Sequence, residues 1–244
     1  MIDLMSLNVK LFADGADIAG IGEMATNPLI KGFTTNPTLM RKAGIVDYKA
    51  FALQVLKVVP DRPVSFEVFA DDFGEMETQA LEIASWGKNI NVKIPVTNTR
   101  GEFCGQLVGR LSKAGVQLNV TAVMTIEQVR RIAENLASET PAIVSVFAGR
   151  IADTGRDPVP IMVEAVRVLK ARPRAELIWA SPRELLNIFQ ADSIGCHIIT
   201  ATNEILKKLS LVGKDLDAYS LDTVEMFYRD AIAAGYSITA ATAV

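Results

Sequence analysis

The stretch INVKIPVTN, residues 90–98, has the pattern of a buried β-strand with a lysine in its middle. Side chains alternate between the two faces of a strand, so Ile90 and Val92 lie on one apolar face and Lys93 on the other. An ammonium group among apolar residues is costly unless it is paired or neutralised. Lys93 is therefore interpreted either as a nucleophile made reactive by a dry site or as one half of a structural ion pair.

Similar β-branched segments alternate with segments of helical periodicity along the rest of the chain. Together they predict eight strands, at residues 8–14, 32–36, 63–69, 90–96, 116–123, 142–148, 176–181 and 196–202. The strand ends recur about every 27 residues, close to the length of one βαβ unit. Eight such units without a linker predict a single (β/α)8 TIM-barrel domain over residues 1–244. A doubly wound open sheet is the alternative, although its glycine-rich first turn is poorly matched by ADGAD.

Three helix boundaries are also predicted. Thr125 with Gln128, and Ser181 with Glu184, each fit a capping box at the start of a helix. The segment LDTVEMFYRDAIAAG, about 221–235, predicts an additional helix after the eighth unit. Its partly apolar face is expected to pack on the barrel or on a neighbouring subunit.

Strand parity predicts which side chains point towards the barrel axis. Leu118, Val120 and Ala122 are expected to face the surrounding helices. The inward set on four strands is expected to be Ser65, Glu67, Phe69, Asn91, Lys93, Pro95, Gln117, Asn119, Thr121, Ile143, Ser145 and Phe147. A structural barrel interior favours branched apolar residues, so polar side chains gathered on one parity predict an active site.

Composition excludes several classes of function. A net charge of −3 and a pI near 5.4 do not suit a nucleic-acid-binding surface. There is neither an apolar stretch near the ~20 residues of a membrane span nor a signal-peptide pattern at the start. Cys104 and Cys196 are too few for a disulfide framework, so a cytoplasmic location is expected. The single histidine, His197, excludes a multi-histidine metal site and is expected to be a packed strand residue.

Without a histidine cluster to hold a metal, a Schiff base is the natural electron sink for breaking a carbon–carbon bond. Lys93 is expected to face the axis beside Glu67 and Thr121. Desolvation favours a neutral amine, whose lone pair attacks a carbonyl, and a nearby carboxylate and water then move protons during imine formation. A purely structural ion pair between Lys93 and Glu67 is the alternative that the residues leave open.

Six motifs, in this order and spacing, resemble the transaldolase family: FADGAD, GFTTNPTLM, NVKIPVT, LNVTAV, SVFAGRIAD and ASPRE. The chain is most similar to the small single-domain branch that also contains the fructose-6-phosphate aldolases. The similarity extends over about residues 11–184 and includes seven of the predicted strands. It implies a (β/α)8 barrel and a class I mechanism without a cofactor. A ketose phosphate then gives a dihydroxyacetone unit to an aldose phosphate through a lysine Schiff base.

The resemblance also implies a role for each matching residue. Lys93 forms the imine, Asp14 takes the proton of the C4 hydroxyl, and Glu67 is an acid/base acting through a water held by Thr121. Residues implied to hold the dihydroxyacetone unit, the imine surroundings or the phosphate are Asn36, Asn119, Ser145, Phe147, Arg150, Ser181 and Arg183. Simpler interpretations also stay open: a helix cap at Asp14, a turn residue at Asn36, an N-cap at Ser181, and solvated charges at Arg150 and Arg183.

The chain departs from the family pattern at a few positions. Gly15 stands where the family usually has Ser or Thr, SVFAGR replaces SPFVGR, and ASPR replaces ASFR. Glu67 and Phe147 are of the transaldolase kind, whereas the aldolases tend to have Gln and Tyr there.

The expected function is accordingly a transaldolase of the pentose phosphate pathway. A fructose-6-phosphate aldolase that releases free dihydroxyacetone and a catalytically silent barrel are the alternatives. Sugar phosphates are the expected partners, with a sulfonated sugar left open, and the resemblance implies a large homo-oligomer such as a decamer.

Overall fold

In the computed structural model of the protein, residues 4–238 are described. The chain forms two compact units, with described residues 4–207 in one and 208–238 in the other. The first unit is a closed barrel of eight parallel strands arranged in chain order, with helices between them. The predicted TIM barrel is confirmed, and the doubly wound open sheet is wrong.

The strands are four to six residues long, and their β-branched residues favour this extended backbone. Their bounds are β1 Lys10–Asp14, β2 Ile30–Thr34, β3 Val64–Glu67, β4 Ile90–Pro95, β5 Leu118–Val123, β6 Ala142–Val146, β7 Ala175–Trp179 and β8 Ile198–Thr202. Strand β2 begins and ends two residues earlier than predicted. The early end has a clear cause: Asn36 caps a helix in which Pro37 is the first residue, so the strand cannot continue through them.

The helices are α1 Ile18–Ala25, α2 Pro37–Lys42, α3 Tyr48–Val58, α4 Phe73–Ser85, α5 Gly105–Lys113, α6 Ile126–Asn135, α7 Ala148–Ala152, α8 Val159–Leu169, α9 Leu186–Ser193, α10 Asn203–Lys207 and α11 Leu216–Ala233. The capping box of Thr125 and Gln128 is confirmed at the start of α6. The capping box predicted at Ser181 is wrong, because α9 begins only at Leu186 and has no side-chain cap.

Apolar side chains fill the barrel beneath the C-terminal ends of its strands. Phe12, Ile143, Ile178 and Ile198 form one buried cluster in this interior. The ring of Phe12 occupies space that any side chain at Gly32 would need, since a Cβ there would lie 2.4 Å from the ring. This packed layer closes the barrel beneath the C-terminal ends of its strands.

The second unit contains helix α11, which begins earlier than the expected residue 221 because Asp215 caps it by accepting a hydrogen bond from Ala218 N. No residue of this helix is buried. Its exposed large apolar side chains are Leu216, Tyr219, Leu221, Val224, Met226, Phe227, Tyr228 and Ile232. Over residues 4–238, no helix combines the length and apolar character that crossing a membrane requires.

Candidate active site

A cavity of about 360 Å³ opens at the C-terminal ends of the strands. Its polar and aromatic lining residues are Asp14, Thr34, Asn36, Thr38, Glu67, Lys93, Asn119, Thr121, Ser145, Phe147, Arg150, Ser181 and Thr200. The fold thus brings together every predicted site residue except Arg183. A larger cavity of about 630 Å³ lies outside the barrel beside α5 and α6, but its lining lacks a lysine. The barrel cavity is therefore the candidate active site.

Lys93 lies on the floor of this cavity with only 6% of its surface exposed. Its Nζ is 3.0 Å from Glu67 Oε2 and donates a 2.7 Å hydrogen bond to the carbonyl oxygen of Thr35. Strand register produces this arrangement, because Lys93 lies opposite Glu67 on β3 and Asn119 on β5. A primary amine is thereby held in a nearly dry pocket beside a group that can exchange a proton with it.

Asp14, the last residue of β1, also lines the cavity, two strands away from Glu67 on β3. Thr34 Oγ1 donates to Asp14 Oδ1 at 2.7 Å, and Asn36 Nδ2 donates to Oδ2 at 3.4 Å. Burial raises the pKa of Asp14 above its ordinary value, and it outweighs the opposing effects of the Thr34 hydrogen bond and of the Lys93 charge. A carboxyl group in such surroundings is suited to binding and releasing a proton.

The structure bears on two expectations about Asp14, its role as a helix cap and its hydroxyl partner. The reading of Asp14 as a helix cap is wrong, because Asp17 caps α1 through the N–H of Gly20. The hydroxyl that the family usually has after this aspartate is missing at Gly15, where an added Cβ would meet nothing within 4 Å. Asp14 nevertheless has a hydroxyl partner, since Thr34 on β2 provides one.

A row of buried polar side chains extends from β3 to β6. Ser145 Oγ donates to Asn119 Oδ1 at 2.7 Å, and Asn119 Nδ2 donates to Ser65 Oγ at 3.1 Å. These bonds fix the orientation of the Asn119 amide. Thr121 Oγ1 is buried and has no hydrogen-bond partner within residues 4–238. A buried hydroxyl needs a partner, so Thr121 is able to bond a water or a substrate in the cavity.

Two parity predictions are wrong near this row. Parity places Ala122 towards the helices, but it lines the cavity. Strand β5 shifts register between Val120 and Val123, and Ala122 adopts a left-handed φ of 61°, as in a β-bulge. Parity also places Phe69 inside the barrel, but β3 ends two residues before it and its side chain is 52% exposed.

The rim beyond Phe147 has two arginines in different situations. Arg150 lines the cavity, with its guanidinium 5.6 Å from the centre of the Phe147 ring, and forms no ion pair among the residues described. Arg183 lies outside the lining and forms a bidentate ion pair with Asp153. Of the two, only Arg150 is thus positioned to meet an anionic group in the cavity.

Ser181 is held at this rim by a close backbone approach. A Cβ at Gly149 would lie 1.5 Å from the carbonyl oxygen of Ser181, so only glycine fits at the start of α7. Ser181 itself has a φ of 56°, a conformation that non-glycine residues seldom adopt. Such local strain is often found at functional sites.

Four polar residues at the site were not predicted as site residues. Thr34, Thr38 and Thr200 line the cavity, and the hydroxyl oxygens of Thr34 and Thr200 share a 2.6 Å hydrogen bond. The alternation of residues along β8 could have indicated Thr200 as a site residue, because it is a polar residue in an otherwise mostly apolar strand. The fourth is Tyr48, whose hydroxyl bonds to the backbone of Glu67 and for which the sequence offers no sign.

The remaining reactive side chains lie away from the cavity. His197 lies just before β8, at the other end of the barrel, where its Nδ1 accepts a 3.0 Å hydrogen bond from Leu177 N. Burial lowers its pKa, as expected for a packed histidine. Burial also raises the pKa of the Cys104 and Cys196 thiols to about 12, so neither is a ready nucleophile.

Comparisons with solved structures show what this fold resembles. A protein from Burkholderia cenocepacia J2315 superposes with a TM-score of 0.60 at 11% identity, covering 87% of this chain and 86% of that one. KGPDC from Streptococcus mutans gives a TM-score of 0.53 at 10% identity, covering 80% and 88% of the two chains. At such low identities the likeness is one of fold alone.

Comparisons of sequence are more specific. A family model described as Transaldolase/Fructose-6-phosphate aldolase matches residues 11–243. A protein named "Probable transaldolase" from Dehalococcoides mccartyi is 36% identical over 202 residues, which are 82% of this chain and 90% of that protein. Another of the same name, from Streptococcus agalactiae serotype V, is 32% identical over 218 residues, or 88% and 97% of the two chains. The chain belongs to the transaldolase/fructose-6-phosphate aldolase family.

Proposed function

We propose that this protein is a transaldolase that moves a dihydroxyacetone unit from a ketose phosphate to an aldose phosphate through a Schiff base on Lys93. The observation that supports this most directly is the nearly dry amine of Lys93, 3.0 Å from the Glu67 carboxylate at the active-site end of the barrel. A structural ion pair alone does not account for the other polar groups gathered around it.

The first half of the reaction forms the imine. Glu67 takes a proton from the Lys93 ammonium, and the neutral amine attacks the C2 carbonyl of the ketose phosphate. A proton then passes from the attacking nitrogen to the C2 oxygen. The resulting hydroxyl leaves as water after protonation from Glu67, through a water bonded to the buried hydroxyl of Thr121, and the iminium remains on Lys93. Desolvation of the amine and a carboxylate within reach are what this step requires.

The second half breaks the bond between C3 and C4. Asp14 takes the proton of the C4 hydroxyl, the aldehyde leaves, and the electron pair passes into the iminium to give an enamine on Lys93. When the acceptor aldehyde arrives, the enamine carbon attacks it and the proton on Asp14 returns to the new hydroxyl. An Asp14 whose pKa is raised by burial is suited to hold that proton between the two events.

The transaldolase reading is preferred over the aldolase reading because of Phe147 and Glu67. An enamine that waits for an acceptor must be protected from protonation and hydrolysis. The apolar ring of Phe147 lies in the cavity wall, where it excludes water without offering a hydroxyl to orient it. A tyrosine at this position would supply that hydroxyl.

The test is reductive trapping combined with product analysis. Fructose 6-phosphate with borohydride is expected to add the sugar-derived mass to the peptide containing Lys93 and to inactivate the enzyme. Lys93→Met is expected to abolish the adduct. Lys10→Met, at a lysine paired with Glu176 near the start of β1, is the matched control and is expected to keep it. An adduct on a different lysine, or none, contradicts the proposal.

The same preparation separates the two activities. With erythrose 4-phosphate present, transfer is expected to exceed the release of free dihydroxyacetone. If the wild-type protein releases dihydroxyacetone without an acceptor as fast as it transfers it, the aldolase alternative is correct.

A further inference from the structure

The backbone at the end of β3 shows how the Glu67 side chain is held. Alternate residues of a parallel strand form hydrogen bonds to opposite neighbours. The carbonyl oxygen of Pro63 accepts from Phe33 N at 2.8 Å, and that of Ser65 accepts from Thr35 N at 3.3 Å, both towards β2. Glu67, two residues further on, therefore also has its N–H and C=O directed towards β2.

Strand β2 cannot form backbone hydrogen bonds with Glu67, because the chain turns into α2 at that level. In a regular ladder, the next donor after Thr35 would be residue 37, but Pro37 has no N–H. The Glu67 N–H would in turn donate to the carbonyl of Thr35. That carbonyl instead accepts the 2.7 Å hydrogen bond from Lys93 Nζ. Both main-chain groups of Glu67 therefore lack their strand partners.

The hydroxyl of Tyr48 replaces both partners. Tyr48 Oη accepts a 2.7 Å hydrogen bond from Glu67 N and donates a 3.0 Å hydrogen bond to Glu67 O. Tyr48 is the first residue of α3, where Asp47 is the cap. Its ring packs against Phe66 and Trp86, with centroid distances of 6.1 and 5.7 Å. Burial raises the pKa of the Tyr48 phenol, so it stays protonated and able to donate.

We infer that Tyr48 is a positioning residue for the reaction. Its hydroxyl replaces the missing β2 hydrogen-bond partners of the Glu67 backbone and so fixes the carboxylate against Lys93. The Thr35 carbonyl, which no longer pairs with Glu67, accepts a hydrogen bond from the same lysine. This inference rests on the proposed Schiff-base function, since it matters for activity only if Glu67 moves protons at Lys93.

The experiment uses Tyr48→Phe in the full chain, with Trp86→Phe as the control for loosened packing of the same aromatic cluster. Tyr48→Phe keeps the ring and leaves two backbone groups of Glu67 without a partner. We expect the rate of borohydride trapping and the turnover number to fall roughly tenfold, with KM for fructose 6-phosphate within about twofold of wild type. Trp86→Phe is expected to lower the melting temperature without this change in trapping rate.

A double-mutant cycle with Glu67→Ala separates positioning from general stability. If Tyr48 acts through the Glu67 carboxylate, adding Tyr48→Phe to Glu67→Ala is expected to cause no further loss of trapping rate. Equal losses in both backgrounds, or a wild-type trapping rate in Tyr48→Phe, would overturn the inference and leave the proposed function standing. If the wild-type protein forms no Lys93 adduct, the proposed function and the positioning role both fail.

Discussion

Asp14 and Glu67 are both carboxylates, and each is the last residue of a barrel strand, yet their side chains have different partners on the two sides of the cavity. Asp14 receives hydrogen bonds from the neutral side chains of Thr34 and Asn36. Glu67 has the ammonium group of Lys93 3.0 Å from its carboxylate. Equivalent positions on one barrel therefore give the same functional group different hydrogen-bonding and charged partners, which come from the neighbouring strand.

The Asp14 side is suited to storing a proton, and the Glu67 side to exchanging one with an amine. Burial raises the pKa of Asp14 because its hydrogen bonds and the charge of Lys93 do not offset the lost hydration. Glu67 instead has that ammonium in direct contact. Pairs of acids in contrasting surroundings are typical of sites where the two have separate acid and base roles.

The largest expected effect comes from separating these roles. Asp14→Asn removes the proposed base for carbon–carbon cleavage but leaves the amine and its partner in place. We expect turnover to fall about 10²–10⁴-fold while the borohydride adduct on Lys93 still forms. Glu67→Ala is the matched variant, and it is expected to slow formation of the adduct itself. If both variants lose the adduct equally, the two sides of the cavity do not differ in the way described.

A smaller effect is expected from the rim, which adds a third region to the comparison. Arg150→Ala is expected to lower kcat/KM for a phosphorylated donor by about one to two decades, because a charge-assisted contact is lost, while trapping at saturating donor is retained. Arg183→Ala is the control, since Arg183 is already paired with Asp153. Equal losses with phosphorylated and unphosphorylated donors would show that Arg150 does not recognise phosphate.

The smallest effect concerns the hydroxyl partner of Asp14. The Thr34 hydrogen bond stabilises the ionised carboxylate and so lowers the pKa that burial raises. Removing it in Thr34→Val raises that pKa further. Because a base works in its ionised form, the acid limb of the kcat/KM profile is expected to move to higher pH, with little loss at the alkaline end. Thr34→Ser, which keeps the hydroxyl, is expected to resemble wild type, and an unmoved acid limb would argue against Asp14 as the base.

Much of the barrel and its cavity was predictable, because both follow from periodicity. Eight β-branched segments at regular spacing predicted the strands, and alternation along β4 and β5 placed Lys93 and Asn119 on the inward face. Glu67 beside Lys93 followed from the same reasoning, since their strands are neighbours and parallel. These predictions needed only the chain order and the two-residue repeat of a strand.

The errors have a different physical origin, because they depend on how one strand meets another. The bulge that turns Ala122 inward arises from the register between β5 and β6, which no single segment specifies. The left-handed backbone of Ser181 lies against Gly149 of α7, a contact between two segments that neither segment specifies alone. Tyr48 was missed because its hydroxyl replaces a backbone partner, and this need appears only once the β2–β3 ladder is known.

The interrupted β2–β3 ladder has a consequence for protein design. In an idealised barrel, the backbone carbonyls between neighbouring strands are engaged in sheet pairing, so a grafted lysine would find no ready acceptor beside it. Here three pieces work together: a proline that stops the strand, a carbonyl freed by that stop, and a phenol that satisfies what the stop left open. A design that builds a buried lysine into another barrel would therefore need all three pieces. Copying the lysine alone would bury its ammonium group without the backbone carbonyl that accepts its hydrogen bond.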